Sequence, residues 1–217
     1  MYLHPLMTGL PATERAVLAE ASTARFYKRN DRILLAGEST DQVFCVGNGL
    51  LRAVTPGRII REDVTTEFIR QNDFVYAAPI SEDRYVSAQT VVAALSSTVY
   101  SVPIAIMRDL CTTHPGVAVG LLGLAIKRMD LLRVHLQSVL GLSSQDLVCR
   151  ILHQLTQLAP AGPSCYDKRI SQAVIASYSG LSREVVNKTM RDFESRGLVR
   201  RDVGGIHVAD YRCATVQ

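Results

Sequence analysis

Five polar side chains near the C-terminus recur at spacings that place them on one face of a helix. They are Arg183, Glu184, Asn187, Lys188 and Arg191. An arginine binds guanine O6 and N7 bidentately, a glutamate accepts from a cytosine amino group, and lysine or asparagine reaches base edges or phosphates. This set therefore predicts contact with the major groove of double-stranded DNA.

The elements that would position these side chains are visible on either side of them. Val186, Met190 and Phe193 recur at i, i+4 and i+7, which predicts a buried face opposite the polar one. Two serines can cap the two helices and a glycine can form the turn between them, namely Ser171, Ser182 and Gly180. The pattern is typical of a helix-turn-helix, which presents the start of its second helix to the major groove.

The residues after this helix and the local charge favour the same interpretation. "GLVRRDVGGIHVAD" predicts a two-stranded wing in which Arg200 and Arg201 contact phosphates. From Lys168 to Arg201 there are eight basic and three acidic residues, whereas the whole chain has a net charge of only +4. A solvated face with pairs such as Glu184–Lys188 is the competing explanation, but the caps, the wing and the concentrated charge favour DNA.

An apolar seam precedes this segment and predicts self-association. Its members recur at alternating spacings of four and three: Ala118, Leu122, Ala125, Met129, Leu132, Leu136 and Val139. A second stripe, Val117, Leu121, Leu124 and Leu131, can cover the helix's own β-domain. Two apolar faces imply two partners, so we expect a parallel homodimer with Leu122, Ala125, Met129, Leu132, Leu136 and Val139 in its interface.

Residues 30 to 102 consist of short apolar or alternating runs separated by Gly, Asn and Asp, which predicts an antiparallel β-unit. Asn48–Gly49 forms the most hairpin-like turn. Gly141 is expected to end the long helix, Ser143 or Ser144 to cap the next one, and "APAGPSCYD" to form a loop. The fold class is therefore α+β: a jelly-roll-like antiparallel β-roll (1–114), a dimerisation helix (115–140) and a winged helix-turn-helix (141–217).

Composition excludes several classes of function. The 217 residues contain no apolar run long enough for a membrane span, and the opening residues have no basic region or apolar stretch typical of a signal peptide. We therefore expect a cytoplasmic protein. The five cysteines form no CxxC pair, which argues against a disulfide framework and a zinc site. The β-unit has no histidine and no phosphate-binding glycine loop, so no enzyme is expected.

The order of these parts resembles the CRP/FNR superfamily of transcription regulators. "GLSREVVNKTMRDFESRGLVRR" is similar to the recognition helix of that family, and "RNDRILLAGESTDQVFCVGNGLLRAV" resembles the opening strands of its cyclic-nucleotide-binding β-roll. The resemblance implies a homodimer on a two-fold-symmetric site. Arg183, Glu184 and Lys188 match the three base-reading positions of the family, although the third is commonly Arg. Ala159–Tyr166 falls where members contact RNA polymerase, or is a plain connector.

The resemblance fails at the cyclic-AMP cassette of the family. Tyr76, Ala77 and Ala78 stand where Gly-Glu-Leu binds the ribose. Val86, Ser87 and Ala88 stand where Arg-Ser-Ala binds the phosphate. Since the carboxylate and the guanidinium are missing, ordinary cyclic-AMP sensing is not expected. Arg84, two residues upstream, is the candidate substitute if its strand begins early enough.

Other effectors stay open at this point. Cyclic di-GMP would need a stacking ring and arginines, and five arginines are available: Arg52, Arg58, Arg61, Arg70 and Arg84. The candidate ligand-binding residues are Arg84, Ser87, Tyr76 and Arg70, the last within an Arg70-x-x-Asp73 spacing. Haem would need an axial ligand such as His135, and a thiol switch could use Cys111 or Cys149. An iron–sulfur cluster is excluded because no cysteine precedes Cys45. A protein-interaction module that does not bind DNA is the remaining alternative.

Overall fold

Short strands are the main elements of the chain before residue 104. The computed structural model describes residues 4–57, 63–75 and 80–209. A 3-10 helix (Pro5–Met7) and α1 (Ala12–Ala21) precede the strands. The strands are β1 (Thr23–Tyr27), β2 (Arg32–Leu34), β3 (Ser39–Thr40), β4 (Gln42–Asn48), β5 (Leu50–Thr55), β6 (Val64–Arg70), β7 (Tyr85–Val86), β8 (Thr90–Ala93) and β9 (Ser97–Pro103).

These strands form three sheets, in the orders β1-β9-β4, β2-β8-β5-β6 and β3-β7. The pairings described by register are antiparallel, which confirms the predicted β-roll. Its core is filled by aliphatic and aromatic side chains from both larger sheets, including Leu34, Val46, Leu51 and Val91, with Phe74 beside them.

The predicted hairpin at Asn48–Gly49 is wrong. β4 pairs with β9, whereas β5 pairs with β8, so the chain crosses from one sheet to another at Gly49. Gly49 has a φ of 92°, and a Cβ there would lie 2.3 Å from Ser97 Oγ and 2.5 Å from the Ser96 carbonyl oxygen. The glycine is therefore needed for a close crossing rather than for a two-residue hairpin loop.

Helices follow the β-roll: α2 (Ile104–Thr113), α3 (Pro115–Gly141) and α4 (Ser144–Leu158). Gly141 ends α3 as predicted. Val117 and Leu121 are buried in the core of the β-roll, and Leu124 packs against it, as expected for the second apolar stripe. Leu131 was assigned to the same stripe wrongly, because 60% of its surface is exposed.

The seam of α3 is largely exposed in the single chain. Leu122, Met129, Leu132 and Leu136 have exposed fractions of 60%, 48%, 38% and 58%. Ala118, Ala125 and Val139 are half-buried. Further large apolar side chains on the helix are also exposed, namely Val119, Ile126, Val134 and Leu140. The exposed apolar surface is therefore wider than the predicted seam.

The C-terminal part contains α5 (Gln172–Ser179), α6 (Arg183–Ser195) and four short strands. The strands are β10 (Pro160–Gly162), β11 (Cys165–Tyr166), β12 (Val199–Arg201) and β13 (Ile206–Val208), in the order β10-β11-β13-β12. The predicted Pro/Gly loop is therefore a strand hairpin, and the wing belongs to a four-stranded sheet. Strands of two or three residues are too short to show a period in the sequence.

Two compact units divide the chain. One contains Met1–Thr55 and Phe68–Asp130, and the other contains Pro56–Glu67 and Leu131–Gln217. The division thus falls within β6 and within α3. The domain boundaries given by the sequence, at residues 114 and 140, stay a prediction. None of the helices in the described part of the chain is long and apolar enough to cross a membrane.

The cysteines differ from the expectation at one position. Cys45 and Cys165 are buried and Cys111 is half-buried, and all three are free thiols. Burial raises the pKa of Cys45 to about 12, so this thiol is unreactive. Cys149 is disulfide-bonded, whereas the sequence favoured free thiols and argued against a disulfide framework.

We expect Gly49→Ala to destabilise the β-roll by about 2–4 kcal/mol, because the added Cβ meets backbone and side-chain atoms and the residue must keep a positive φ. Urea unfolding followed by circular dichroism measures the change. Gly116→Ala is the matched control, since a Cβ at this helical position meets open space. Equal unfolding midpoints for the two variants would show that the crossing tolerates a side chain.

Candidate nucleic-acid interface

The helix-turn-helix begins and turns where the sequence places it. Gly180 ends α5 in the left-handed conformation, with a φ of 71°. Ser182 is the N-cap of α6, and its Oγ accepts from the Val185 N–H at 3.2 Å. Ser171 occupies the N-cap position of α5, but its side chain makes no cap hydrogen bond, so its predicted capping contact is absent. Likewise, Ser143 caps α4 by accepting from the Asp146 N–H.

The two faces of α6 are separated as predicted, with one exception. Val186, Met190 and Phe193 are buried. Four of the five predicted polar residues are exposed, namely Arg183, Glu184, Lys188 and Arg191, and three of these four carry positive charge. Glu194 and Ser195, in the last turn, are also exposed.

Asn187 is the exception, because it is half-buried and its Oδ1 has no hydrogen-bond partner among the described residues. It follows the buried Val186 directly and lies one turn before Met190. This position at the border of the two faces explains why its predicted full exposure is not found.

The two arginines of the wing differ in their surroundings. The Arg200 side chain is 73% exposed and lies 3.5 Å from Asp202 Oδ2. Arg201 donates from Nε to Glu194 Oε1 of α6 at 2.5 Å. The phosphate contact predicted for each of them stays a prediction, and in the structure Arg201 is joined to α6. Glu194 was missed because no periodic pattern links a residue at a helix end to one in the following strand.

Asp202 organises the turn of the wing. Its Oδ1 accepts from the Gly204 and Gly205 N–H groups at 2.8 and 3.0 Å, and its Oδ2 lies 2.7 Å from His207 Nε2. The hydrogen bond from Gly205 and those from Gly204 and His207 lower the pKa of this carboxyl group. The Lys168 ammonium donates to the Val203 carbonyl at 2.9 Å. The tip of the wing is therefore held by several polar contacts, none of which sequence reasoning identified.

α5 is held by two further segments of the same unit. The Ser177 hydroxyl donates to the Asp63 carbonyl at 2.7 Å and accepts from the Thr65 N–H at 2.8 Å. The ring of His135, on α3, stacks on Tyr178 with a centroid distance of 3.9 Å and an angle of 6°. These contacts fix the first helix of the helix-turn-helix against α3 and the start of β6.

His135 also bears on the haem hypothesis. Its Nε2 lies 3.1 Å from the Tyr178 carbonyl oxygen. A carbonyl can only accept, so this nitrogen carries the proton and has no free lone pair for iron in this arrangement. Burial lowers the pKa of the imidazole, and the hydrogen bond to Tyr178 partly opposes this change.

The candidate ligand-binding residues of the β-roll are engaged locally. Ser87 is 2% exposed and donates to the Gln89 carbonyl at 2.7 Å. Arg84 is exposed, lies 3.4 Å from Ser39 Oγ, and precedes β7, so the early strand start that it required is not found.

Of the remaining candidates, Arg70 is the one whose surroundings the described residues show in full. Arg70 lies 3.8 Å from Asp73 Oδ2. Tyr76, Arg58 and Arg61 lie outside the described residues. Within residues 4–57, 63–75 and 80–209, no cluster of three His, Cys, Asp or Glu side chains could hold a metal ion.

Comparison with known families confirms the resemblance noted in the sequence. Residues 148–212 match the Crp-like helix-turn-helix domain. This range contains α5, α6 and the wing. No curated protein matches the chain.

Solved structures share the fold over nearly the whole chain. FixK2 from Bradyrhizobium japonicum is 16% identical, with a TM-score of 0.76 over 87% of this chain and 93% of its own. The c-di-GMP-responsive global regulator CLP from Xanthomonas campestris is 15% identical, with a TM-score of 0.75 over 93% and 100%. A CRP-family transcriptional regulator from Thermus thermophilus is 17% identical, with a TM-score of 0.71 over 86% and 92%. The chain therefore has the CRP/FNR fold.

We expect acid to weaken the contact between α3 and α5. The folded-state pKa of His135 lies below its ordinary value of 6.5, so the unfolded chain binds the proton more readily. The contribution of His135 to the free energy of unfolding is therefore fully present at a pH well above its ordinary pKa. This contribution falls as the pH drops below that pKa. His135→Phe keeps a ring over Tyr178 but cannot protonate, so its stability should change less between about pH 7.5 and about pH 5.5.

Urea unfolding at the two pH values measures this difference. His135→Gln is the companion variant, because it keeps a donor for the Tyr178 carbonyl without titrating in this range. Both variants should lose less stability than the wild type on acidification. Some loss should persist, since burial also lowers the pKa of His4. If both variants kept the full wild-type loss, His135 would not be its source.

Proposed function

We propose that this chain, which has the CRP/FNR fold and a Crp-like helix-turn-helix domain, is a transcription regulator that binds a two-fold-symmetric DNA site as a homodimer. The observation that carries the proposal is the N-terminal part of α6, where Arg183 and Lys188 are exposed on a capped helix whose opposite face is buried. A helix of this kind fits the major groove with its first turns against base edges.

We assign recognition of the DNA bases to Arg183, Glu184 and Lys188. Contacts with phosphates beside the same surface are assigned to Arg191 and Arg200. Four further residues support this surface without an assigned base contact. They act through the backbone and through neighbouring side chains, and they are Ser171, Ser182, Asn187 and Arg201. Asn187 is half-buried and Arg201 is paired with Glu194, so neither is assigned a direct base contact. Phosphate contacts position a protein on the duplex, whereas base-edge contacts specify its site.

Homodimer formation is assigned to the exposed apolar surface of α3. Leu122, Met129 and Leu136 lie on it at heptad spacing, and each is about half exposed in the single chain. An apolar surface of this length is unfavourable in water unless a partner covers it. A second copy of α3 in parallel covers it symmetrically and places two copies of α6 on one face of the DNA.

We further propose that cyclic AMP is not the effector. Val86 stands where the family has the phosphate-binding arginine, and it is 64% exposed and uncharged. The Ser87 hydroxyl, at the next cassette position, already donates to the Gln89 carbonyl. Because the Ser87 hydroxyl already makes this hydrogen bond and Arg84 lies outside the strand, the cyclic phosphate has no charge-assisted pair at these cassette positions.

The direct test is fluorescence anisotropy of the purified chain on duplexes that it selects from a random library. Binding is measured at about 50 mM and about 200 mM salt, because the release of counterions makes DNA affinity fall steeply with salt. Cyclic AMP is added in a parallel series and should leave the affinity unchanged. No duplex binding at low salt would favour a protein-interaction module, and binding that required cyclic AMP would show that the cassette is functional.

Arg183→Ala should weaken binding to the selected site by about 1–3 kcal/mol and relax the preference at one base pair of each half-site, as expected for loss of a bidentate guanine contact. Competition with single-base variants of the site measures both effects. Arg196→Ala, at the other end of α6, is the control and should preserve the preference. Equal losses of affinity on selected and random duplexes would exclude base reading by Arg183.

Replacing Met129 and Leu132 together with glutamate should give monomers that no longer bind the symmetric site tightly, because each subunit would bury two negative charges in the dimer. Analytical ultracentrifugation measures the oligomeric state, and anisotropy measures the binding. Val17→Glu, at a similarly exposed apolar position on α1, is the control. A dimeric double variant would place the interface elsewhere.

A further inference from the structure

In the described part of the chain, an ion pair links a side chain of the wing to α6, the proposed recognition helix, in addition to the packing between them. Arg201 lies on β12, and Glu194 lies in the last turn of α6. The Arg201 Nε donates to Glu194 Oε1, and the two side chains are 47% and 36% exposed. Backbone hydrogen bonds hold the point where the strand leaves the helix, including the Leu198 N–H to the Phe193 carbonyl at 2.9 Å and the Gly197 N–H to the Glu194 carbonyl at 3.1 Å. The ion pair thus spans from the helix to the far end of β12.

The neighbouring arginine is placed differently. Successive side chains of a strand point to opposite faces, so Arg200 and Arg201 cannot present their guanidinium groups to the same surface. Arg200 is 73% exposed beside Asp202, whereas Arg201 faces α6. Of the two, Arg200 is the one whose charge is directed away from the helix.

A buried ring lies next to the ion pair. Tyr166 of β11 is completely buried and pairs with Ile206 of β13, which in turn pairs with Arg201. Burial raises the pKa of the Tyr166 hydroxyl, and the charges of Arg201 and Glu194 act on it in opposite directions. The two side chains therefore act electrostatically on this ring, while both remain exposed to water.

We propose that Arg201 is a positioning residue: its pairing with Glu194 fixes the wing relative to the recognition helix, and Arg200 supplies the phosphate contact of the wing. This inference rests on the proposed DNA-binding function. It separates two arginines that are adjacent in the sequence and would otherwise be given one role. A wing held at a fixed angle lets the wing and the recognition helix contact one duplex together, without ordering the wing at the moment of binding.

Salt titrations of duplex binding distinguish the two roles. Arg200→Ala should reduce the slope of log affinity against log salt by about 0.9, as for loss of one phosphate contact. Arg201→Ala and Glu194→Gln should each weaken binding about threefold to fivefold with the slope unchanged. The double variant Glu194→Arg with Arg201→Glu keeps the net charge and should recover affinity to within about twofold, because the pair is re-formed.

The opposite pattern would overturn the positioning role. If Arg201 contacted a phosphate, Arg201→Ala would reduce the slope, Glu194→Gln would strengthen binding by removing a negative charge, and the exchanged pair would bind as poorly as Arg201→Ala. Each of these three results contradicts the assignment.

Hydrogen exchange of the wing amides tests the positioning role without DNA. Exchange in β12 and β13 should be about threefold faster in Arg201→Ala and in Glu194→Gln, and should return to the wild-type rate in the exchanged pair. Unchanged exchange in both single variants would refute it. Wild-type protein that fails to bind any duplex would instead refute the proposed function, and the exchange result would still decide whether the pair holds the wing.

Discussion

The packing of the apolar face of α6 determines which side chains of this helix face solvent. Val186 and Met190 are completely buried, and Phe193 is nearly so. Phe193 lines a small space together with Leu152 of α4 and Val208 of β13, so the helix is packed against another helix and the wing sheet at once. With this face fixed, the basic residues of the first turns can point only outward. The polar face of α6 thus depends on its apolar one.

The position of α5 depends on a second set of contacts, which come from outside the C-terminal third of the chain. Ser177 bonds to Asp63 and Thr65, and Tyr178 stacks on His135. Residues 63 to 67 begin a strand that continues into the other compact unit, and α3 likewise runs through both. The contacts that these two segments make with α5 therefore fall on its neighbouring residues Ser177 and Tyr178.

The sequence was informative where a period or a cap is dictated locally. The buried face of α6, its serine cap, the glycine turn and the end of α3 follow from spacing and backbone preference alone. Features that join distant residues could not be predicted. Gly49 resembles a hairpin glycine until the pairing of β4 and β5 with other strands is known, and Arg201 resembles Arg200 until Glu194 is seen beside it. β10 and β11, of three and two residues, are too short to have a period.

Ser87, at one of the cassette positions, is engaged within the β-roll itself. A ligand that used the Ser87 hydroxyl would have to take it from the half-buried Gln89 carbonyl, and leaving that acceptor unsatisfied costs about 1–3 kcal/mol. The family compensates for such costs with an arginine at the position of Val86, which here has no charge. Val117 and Leu121, by contrast, bury the first turns of α3 in the β-roll. The first turns of α3 are therefore part of the core of the β-roll.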